Sequence, residues 1–281
     1  MRFEETIRYL VQNDNYILTA HDSPDADAIG SEVALYRALR GLGKKVRIIN
    51  SDPEGIRYAF LNPRGEVEQL ALARLDPGEL AKSRLIILDT NDTSNIGFVA
   101  RDILPLTADC LIIDHHEGIN DPDFPGCYVE SEASSTCEIL YRLFEGMGTE
   151  VDFEAAQALY TGILFDTGCF IYPKTSAETF RIAGELVKRG VNPNHIYARL
   201  YENDSFASLK LHSRVMAGIE FFYEGAVAML VLTREMIREC EAKYEEAETL
   251  INIPLRCRDV RVSVLLKQNP EGILRCSMRS K

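Results

Sequence analysis

Residues 16–50 read YILTAHDSPDADAIGSEVALYRALRGLGKKVRIIN. The stretch opens on an apolar run, Tyr16 to Ala20, and then breaks into His21, Asp22, Asp25 and Asp27, which no strand interior would hold. Val33, Leu35, Leu39 and Leu42 follow as an apolar helix that stops at Gly41 and Gly43, and Val46 to Asn50 is a second strand. Strand, helix and strand in this order are a βαβ unit, so the two strands are expected to lie parallel in one sheet.

Upstream, Phe3, Ile7, Leu10 and Val11 mark one face of a helix from about Phe3 to Gln12. Downstream, Leu85 to Leu88 and Leu111 to Ile113 are short continuous apolar runs, the pattern of strands buried on both faces, and Cys127 to Val129 is a shorter strand that closes the sheet. From Ser134 to about Glu220 the pattern is mostly helical, with segments at Ser135 to Glu145, Phe153 to Phe165, Ser176 to Arg189, Pro193 to Tyr201 and Phe206 to Ile219. Beyond it, Ala226 to Leu232, Val260 to Leu266 and Ile273 to Met278 read as strands and Arg234 to Tyr244 as a helix. The expected fold class is therefore α/β: an open, doubly wound parallel sheet over residues 1–204, a helical connector at 205–220, and a smaller α/β domain at 221–281.

Composition narrows the partners. Seven cysteines are scattered, odd in number and never spaced as CxxC, so neither a disulfide framework nor a zinc ribbon is indicated and a reducing cytoplasm is expected. Met1 to Gln12 is charged and amphipathic rather than a signal peptide, and no apolar stretch approaches bilayer-spanning length, so no membrane partner is expected. A formal charge of −12 disfavours a long duplex nucleic acid and suits a small phosphorylated ligand. Part of that charge is local if carboxylates here hold divalent cations.

The polar residues of interest follow the apolar runs directly. His21, Asp22, Asp25 and Asp27 come after the first strand, Asp89 after Leu85 to Leu88, and Asp114, His115 and His116 after Leu111 to Ile113. In an open parallel sheet the carboxyl ends of neighbouring strands share one crevice, which is where ligands bind. Asp166, at the end of the apolar helix Phe153 to Phe165, joins this set. Taken singly, an aspartate after a strand is equally a helix cap or turn former. Together, so many carboxylates and imidazoles in one crevice call for cations. The donors are oxygen and nitrogen with no thiolate, a set that suits Mn²⁺ and, less selectively, Mg²⁺, Fe²⁺ or Co²⁺.

The segments His21-Asp22-Ser23-Pro24-Asp25-Ala26-Asp27-Ala28-Ile29-Gly30-Ser31, Asp89, Asp114-His115-His116 and Asp166-Thr167-Gly168 resemble the four ordered motifs of the DHH phosphoesterases. That superfamily includes RecJ-type exonucleases, family II pyrophosphatases, exopolyphosphatases and cyclic dinucleotide phosphodiesterases. The chain is most similar to its nano-RNA exonucleases that also dephosphorylate adenosine bisphosphate. The resemblance implies two divalent metal ions, with His21 and Asp25 on one, Asp27, His115 and Asp166 on the other, and Asp89 bridging them. It implies hydrolysis of short oligoribonucleotides or 3'-phosphoadenosine 5'-phosphate by a metal-bridging hydroxide. His116 then faces the substrate phosphate, either stabilising transition-state charge or protonating the departing oxygen, and Asp114 supports the histidines. Gly30 and Ser31 are expected to open the following helix, with free N–H groups toward phosphate.

The tail from about Phe221 resembles the DHH-associated substrate domain, and Arg279-Ser280-Lys281 its Arg-Ser segment, with Arg279 gripping phosphate. Nucleotide-cleaving relatives carry a glycine-rich motif ending in His shortly after this point, which does not occur before Lys281, so a longer natural chain is expected. A homodimer is expected from the resemblance alone. The competing readings are a cyclic or linear dinucleotide phosphodiesterase, a pyrophosphatase, or a nucleotide sensor without catalysis. His195 and His212 are read as helix residues outside the site and Cys169 as a small buried residue, while Ser131 to Thr136, a stretch that lies near the active site in similar proteins, is read as the cap of the helix beginning near Ser135.

Overall fold

The computed structural model describes residues 1–118, 126–269 and 272–281. The chain divides into two compact units, Met1–Leu200 and Tyr201–Lys281.

The first unit is built on strands β1 (Tyr16–Thr19), β2 (Val46–Asn50), β3 (Val67–Gln69), β4 (Arg84–Leu88), β5 (Asp109–Asp114) and β6 (Cys127–Val129). They form one sheet in the order β3-β2-β1-β4-β5-β6, with every pairing parallel. The helices are α1 (Phe3–Gln12), α2 (Ala26–Gly41), α3 (Pro77–Leu80), α4 (Phe98–Asp102), α5 (Thr136–Met147), α6 (Phe153–Asp166), α7 (Ala177–Lys188) and α8 (Pro193–Tyr201). Parallel strands need crossovers, and the crossovers cover both faces, which is why β1, β4 and β5 are apolar almost throughout. Ile17, Ile49, Leu85, Ile87 and Ile112 pack with Leu80, Ile96, Val99 and Ile103 on one face. Period-two alternation turns Leu18, Ile48, Ile86 and Leu111 to the opposite face, the side of α2, α5 and α6.

The order reverses between β1 and β4. Chain connections leave in opposite directions there, and the carboxyl ends open into a crevice. Behind it, α2 and α6 approach closely because glycine faces each crossing point: a Cβ on Gly30 would lie 2.6 Å from the Ala158 carbonyl oxygen, and one on Gly162 would lie 2.5 Å from Asp27 Oδ1.

The second unit contains α9 (Phe206–Met216), β7 (Glu220–Phe222), β8 (Val227–Leu232), α10 (Arg234–Glu239), β9 (Val262–Gln268) and β10 (Leu274–Ser280). Its sheet runs β10-β9-β8-β7 and is mixed: β8 and β9 are parallel, the two outer pairs antiparallel. Leu230 and Leu232 from β8 and Leu265 from β9 form its core with Leu211 and Val215 of α9 and Leu250. The helix expected within the connector thus supplies core side chains to this unit.

The differences from the sequence reading are local. The expected strand Val260 to Leu266 starts and ends two residues later, and the expected helix Arg234 to Tyr244 stops at Glu239. Three-residue strands β3 and β7 were not expected, being too short to show a period.

Candidate metal centre

The strand ends deliver their polar residues to one place. Beyond β1 come His21 and then Asp25, which caps α2 by accepting from the N–H groups of Asp27 (3.0 Å) and Ala28 (3.2 Å). The helix therefore starts at Ala26, and Gly30 and Ser31 lie inside it, buried, rather than opening it toward a ligand. Asp89 follows β4 with φ +61°, in the left-handed region that aspartate enters more readily than most residues. Asp114 ends β5 and is followed by His115 and His116, and Asp166 closes α6.

Three groups of donor atoms converge, each within 4.8 Å: His21, Asp25 and Asp89; Asp27, His115 and Asp166; and Asp89, His115 and His116. Asp89 belongs to two of them. Its Oδ2 lies 3.6 Å from His21 Nε2 and its Oδ1 lies 3.4 Å from His115 Nε2, while Asp166 Oδ2 is 3.0 Å from the same His115 nitrogen. Asp27 is fully buried and Asp89 almost so. The adjoining open cleft has a volume of about 890 Å³, lined by His21, Asp25, Asp89, Asn91, His116 and Glu117 among others.

Protonation in this cluster is frustrated. Burial pushes Asp25 up to about 7, with repulsion from Asp89 and Asp166 adding to it, and the same causes raise Asp27 well above the carboxylate range. Burial also opposes charge on Asp89, but His115 and His21 beside it hold its carboxyl below the usual range. Burial works against the imidazolium forms as well, yet neighbouring carboxylates lift His21 to about 9 and His115 to about 11. Protons shared among the histidines and carboxylates offset part of this charge, a task divalent cations do better.

The donor set fits such cations in detail. His21 Nδ1 lies 2.8 Å from the Asp22 carbonyl oxygen, which can only accept, so Nδ1 carries the proton and Nε2 is left free toward Asp89. Buried His115 turns Nε2 to Asp166, Asp89 and Asp27 at 3.0, 3.4 and 3.9 Å, a convergence of acceptors on one ring nitrogen that a cation among them would resolve. His116 differs. Its Nδ1 donates to Asp114 Oδ1 at 2.8 Å, which raises its pKa against the effect of burial, and its side chain is 53% exposed.

Sequence reasoning gave two contributors no role, the first of them in a stretch that only the family resemblance set near the site. The Asp27 carboxylate accepts from the backbone N–H of Thr136 (2.7 Å) and of Cys137 (3.0 Å), so the first turn of α5 holds it, and the Thr136 hydroxyl donates to Asp89 Oδ1 at 2.9 Å. The expected capping role falls to Ser135, whose hydroxyl accepts from the Glu138 N–H at 3.0 Å. The other contributor is Gly162, where any side chain would displace Asp27. An isolated glycine inside an apolar helix was the available signal. Arg279 lies exposed on β10 of the second unit, and no disulfide joins any of the seven cysteines.

The model of the DHH family N-terminal domain matches residues 15–163. This chain belongs to the DHH family. It is 30% identical over 283 residues to the bifunctional oligoribonuclease and PAP phosphatase NrnA of Thermus thermophilus, covering 100% of this chain and 80% of that protein. Identity to NrnA of Bacillus subtilis is 28% over 280 residues, covering 99% of this chain and 85% of that one. Among solved structures, an exopolyphosphatase-related protein from Bacteroides fragilis superposes with a TM-score of 0.92 at 26% identity, over 99% of this chain and 83% of its own. The family match spans β1 to most of α6 and so includes the whole crevice except Asp166. Among the described residues of this DHH-family chain, no helix is long and apolar enough to cross a membrane.

Proposed function

We propose that this chain is a two-metal-dependent phosphoesterase that hydrolyses short oligoribonucleotides and 3'-phosphoadenosine 5'-phosphate. The observation that carries the reading is the pair of donor groups, His21, Asp25, Asp89 and Asp27, His115, Asp166, in contact with each other through Asp89 and His115. The full-length similarity to proteins named bifunctional oligoribonuclease and PAP phosphatase supplies the substrate class.

In this reading His21 and Asp25 hold one ion, Asp27, His115 and Asp166 the other, and Asp89 serves both. The oxygen and nitrogen donors favour Mn²⁺. When bound, the two ions acidify a water and neutralise the phosphoryl oxygens. The chain's own residues do the rest. The Asp22 carbonyl fixes the tautomer of His21, and α5 fixes Asp27. Asp114 orients His116 through Nδ1 and favours its protonated form, leaving Nε2–H to donate to a phosphoryl oxygen or to the departing oxygen. Arg279, in the second unit, is assigned to a substrate phosphate, and residues 221–281 to substrate recognition.

The test is a comparison of initial rates with Mn²⁺ on a di- to pentaribonucleotide series, on 3'-phosphoadenosine 5'-phosphate, on a cyclic dinucleotide and on pyrophosphate. The first two are expected to be the best substrates. A preference for pyrophosphate or the cyclic dinucleotide would sink the substrate assignment, and nucleotide binding without turnover would leave a sensor.

A further inference from the structure

Thr136 donates hydrogen bonds to two of the converging carboxylates at once. Its backbone N–H donates to Asp27 Oδ2 at 2.7 Å and its hydroxyl to Asp89 Oδ1 at 2.9 Å. These are also the oxygens through which His115 Nε2 approaches the two carboxylates, at 3.9 and 3.4 Å. Thr136, Asp27 and Asp89 are all buried, so these bonds form where water does not compete and where a misplaced donor is costly.

The helix terminus alone does not require the hydroxyl. Ser135 already caps α5, and the N–H groups of Thr136 and Cys137 hold both oxygens of Asp27 whatever side chain stands at 136. What the Thr136 hydroxyl adds is a link to a different strand end. Asp89 leaves β4 in a left-handed conformation, and His21 and His115, whose Nε2 atoms lie 3.6 and 3.4 Å from its oxygens, would themselves be engaged by metal. The Thr136 side chain is the neutral donor that stays with Asp89 when the imidazoles turn to a cation.

We propose that Thr136 is a positioning residue that sets the spacing between Asp27 and Asp89, so that the site takes up two coupled ions rather than one. The inference rests on the two-metal reading above. It assigns Thr136 no contact with substrate. Its consequence is specific: loss of the hydroxyl releases Asp89 while leaving Asp27, which is held by backbone N–H groups, in place. The ion held by Asp27, His115 and Asp166 would keep those three residues, while the one left with His21 and Asp25 alone would be loosened. Partners that orient metal ligands are typically worth about 10–100-fold in metal affinity.

The experiment is a Mn²⁺ titration of the chelator-stripped full chain, followed by calorimetry and by electron paramagnetic resonance, which distinguishes exchange-coupled Mn²⁺ pairs from isolated ions. Wild type is expected to bind two coupled ions, and if it does not, the two-metal reading fails beneath the inference. Thr136→Val is expected to bind one ion near wild-type affinity and the second about 10–100-fold more weakly, with the coupled signal lost at limiting Mn²⁺. Thr136→Ser is expected to restore both ions to within about threefold, a rescue that packing of the γ-methyl would not produce. Two coupled ions of unchanged affinity in Thr136→Val, or a Ser variant as defective as the Val variant, overturns the proposal. So does failure of both Thr136→Val and Thr136→Ala to fold, which would make the hydroxyl a structural group.

Discussion

The central strands β1, β4 and β5 of the first unit are apolar on both faces, and the metal-binding side chains gather at their carboxyl ends. The sheet of the second unit alternates instead: Ala228, Leu230 and Leu232 are buried along β8 while the residues between them are partly exposed, and every residue of β10 is exposed. When both faces are covered, polar groups have nowhere to go but the strand ends, and parallel connections bring those ends together. When one face is open, polar residues are spread along the strands and mark nothing in particular. All three groupings of metal-binding side chains found among the described residues lie in the first unit.

The contrast breaks most sharply at Asp89. Replacing Asp89 by Asn keeps its shape and its ability to accept from Thr136, but removes the charge shared by the two donor groups. Since partners that merely orient ligands are worth 10–100-fold, loss of at least about 100-fold in kcat/KM is expected, with one Mn²⁺ fewer bound per chain. Unchanged stoichiometry would place the second ion elsewhere. In the second unit the largest expected effect is on stability instead. Leu230 is fully buried in the small core, and Leu230→Ala is expected to cost about 2–5 kcal/mol in urea unfolding. Leu274, 67% exposed on β10, is the control, with Leu274→Ala expected within about 0.5 kcal/mol. Equal costs at the two leucines would mean that β10 is covered in solution.

The same contrast explains what could be read from the sequence. β1, β4 and β5 were legible because double burial leaves apolar runs, and His21, Asp89, His115 and His116 because they interrupt those runs at their ends. Asp166 needed the family motif, since it ends a helix rather than a strand. Thr136 was not legible. Its residue type, its position after two serines and the start of a helix all fit simple capping, and only the fold reveals that Ser135 does the capping while Thr136 faces two acids. β9 runs on through Lys267 and Gln268 because it pairs with β10 through backbone groups, which side-chain polarity does not report. Gly30 was misplaced for a related reason: Asp25 caps the helix with its own side chain, so the helix starts four residues before that glycine.

One buried acid stands apart from the strand-end cluster and tests how far the apolar rule extends. Glu32 is fully buried on α2; its Oε2 accepts from Asn50 Nδ2 at 2.9 Å and its Oε1 has no partner among the described residues. Asn50, at the end of β2, in turn accepts from Thr19 Oγ1 and the Ala20 N–H, so the pair ties the helix to two strand ends. Burial pushes Glu32 from 4.5 up to about 8, although Asn50 and His21 oppose the rise. A folded-state pKa above the unfolded one means that the native chain holds a proton which the unfolded chain has released. This contribution is therefore fully favourable below about pH 4.5, declines as pH rises, and becomes a full penalty above about pH 8. Glutamine cannot ionise and keeps the acceptor for Asn50. Glu32→Gln, compared with wild type by urea unfolding in chelator, is expected to lie within about 1 kcal/mol of it near pH 5 and to exceed it by up to about 4 kcal/mol at pH 8. The ionisations of the metal centre contribute to both proteins and largely cancel in the difference. Parallel curves from pH 5 to pH 8 would show that Glu32 ionises at no cost, and that the layer between α2 and the sheet admits water behind the crevice.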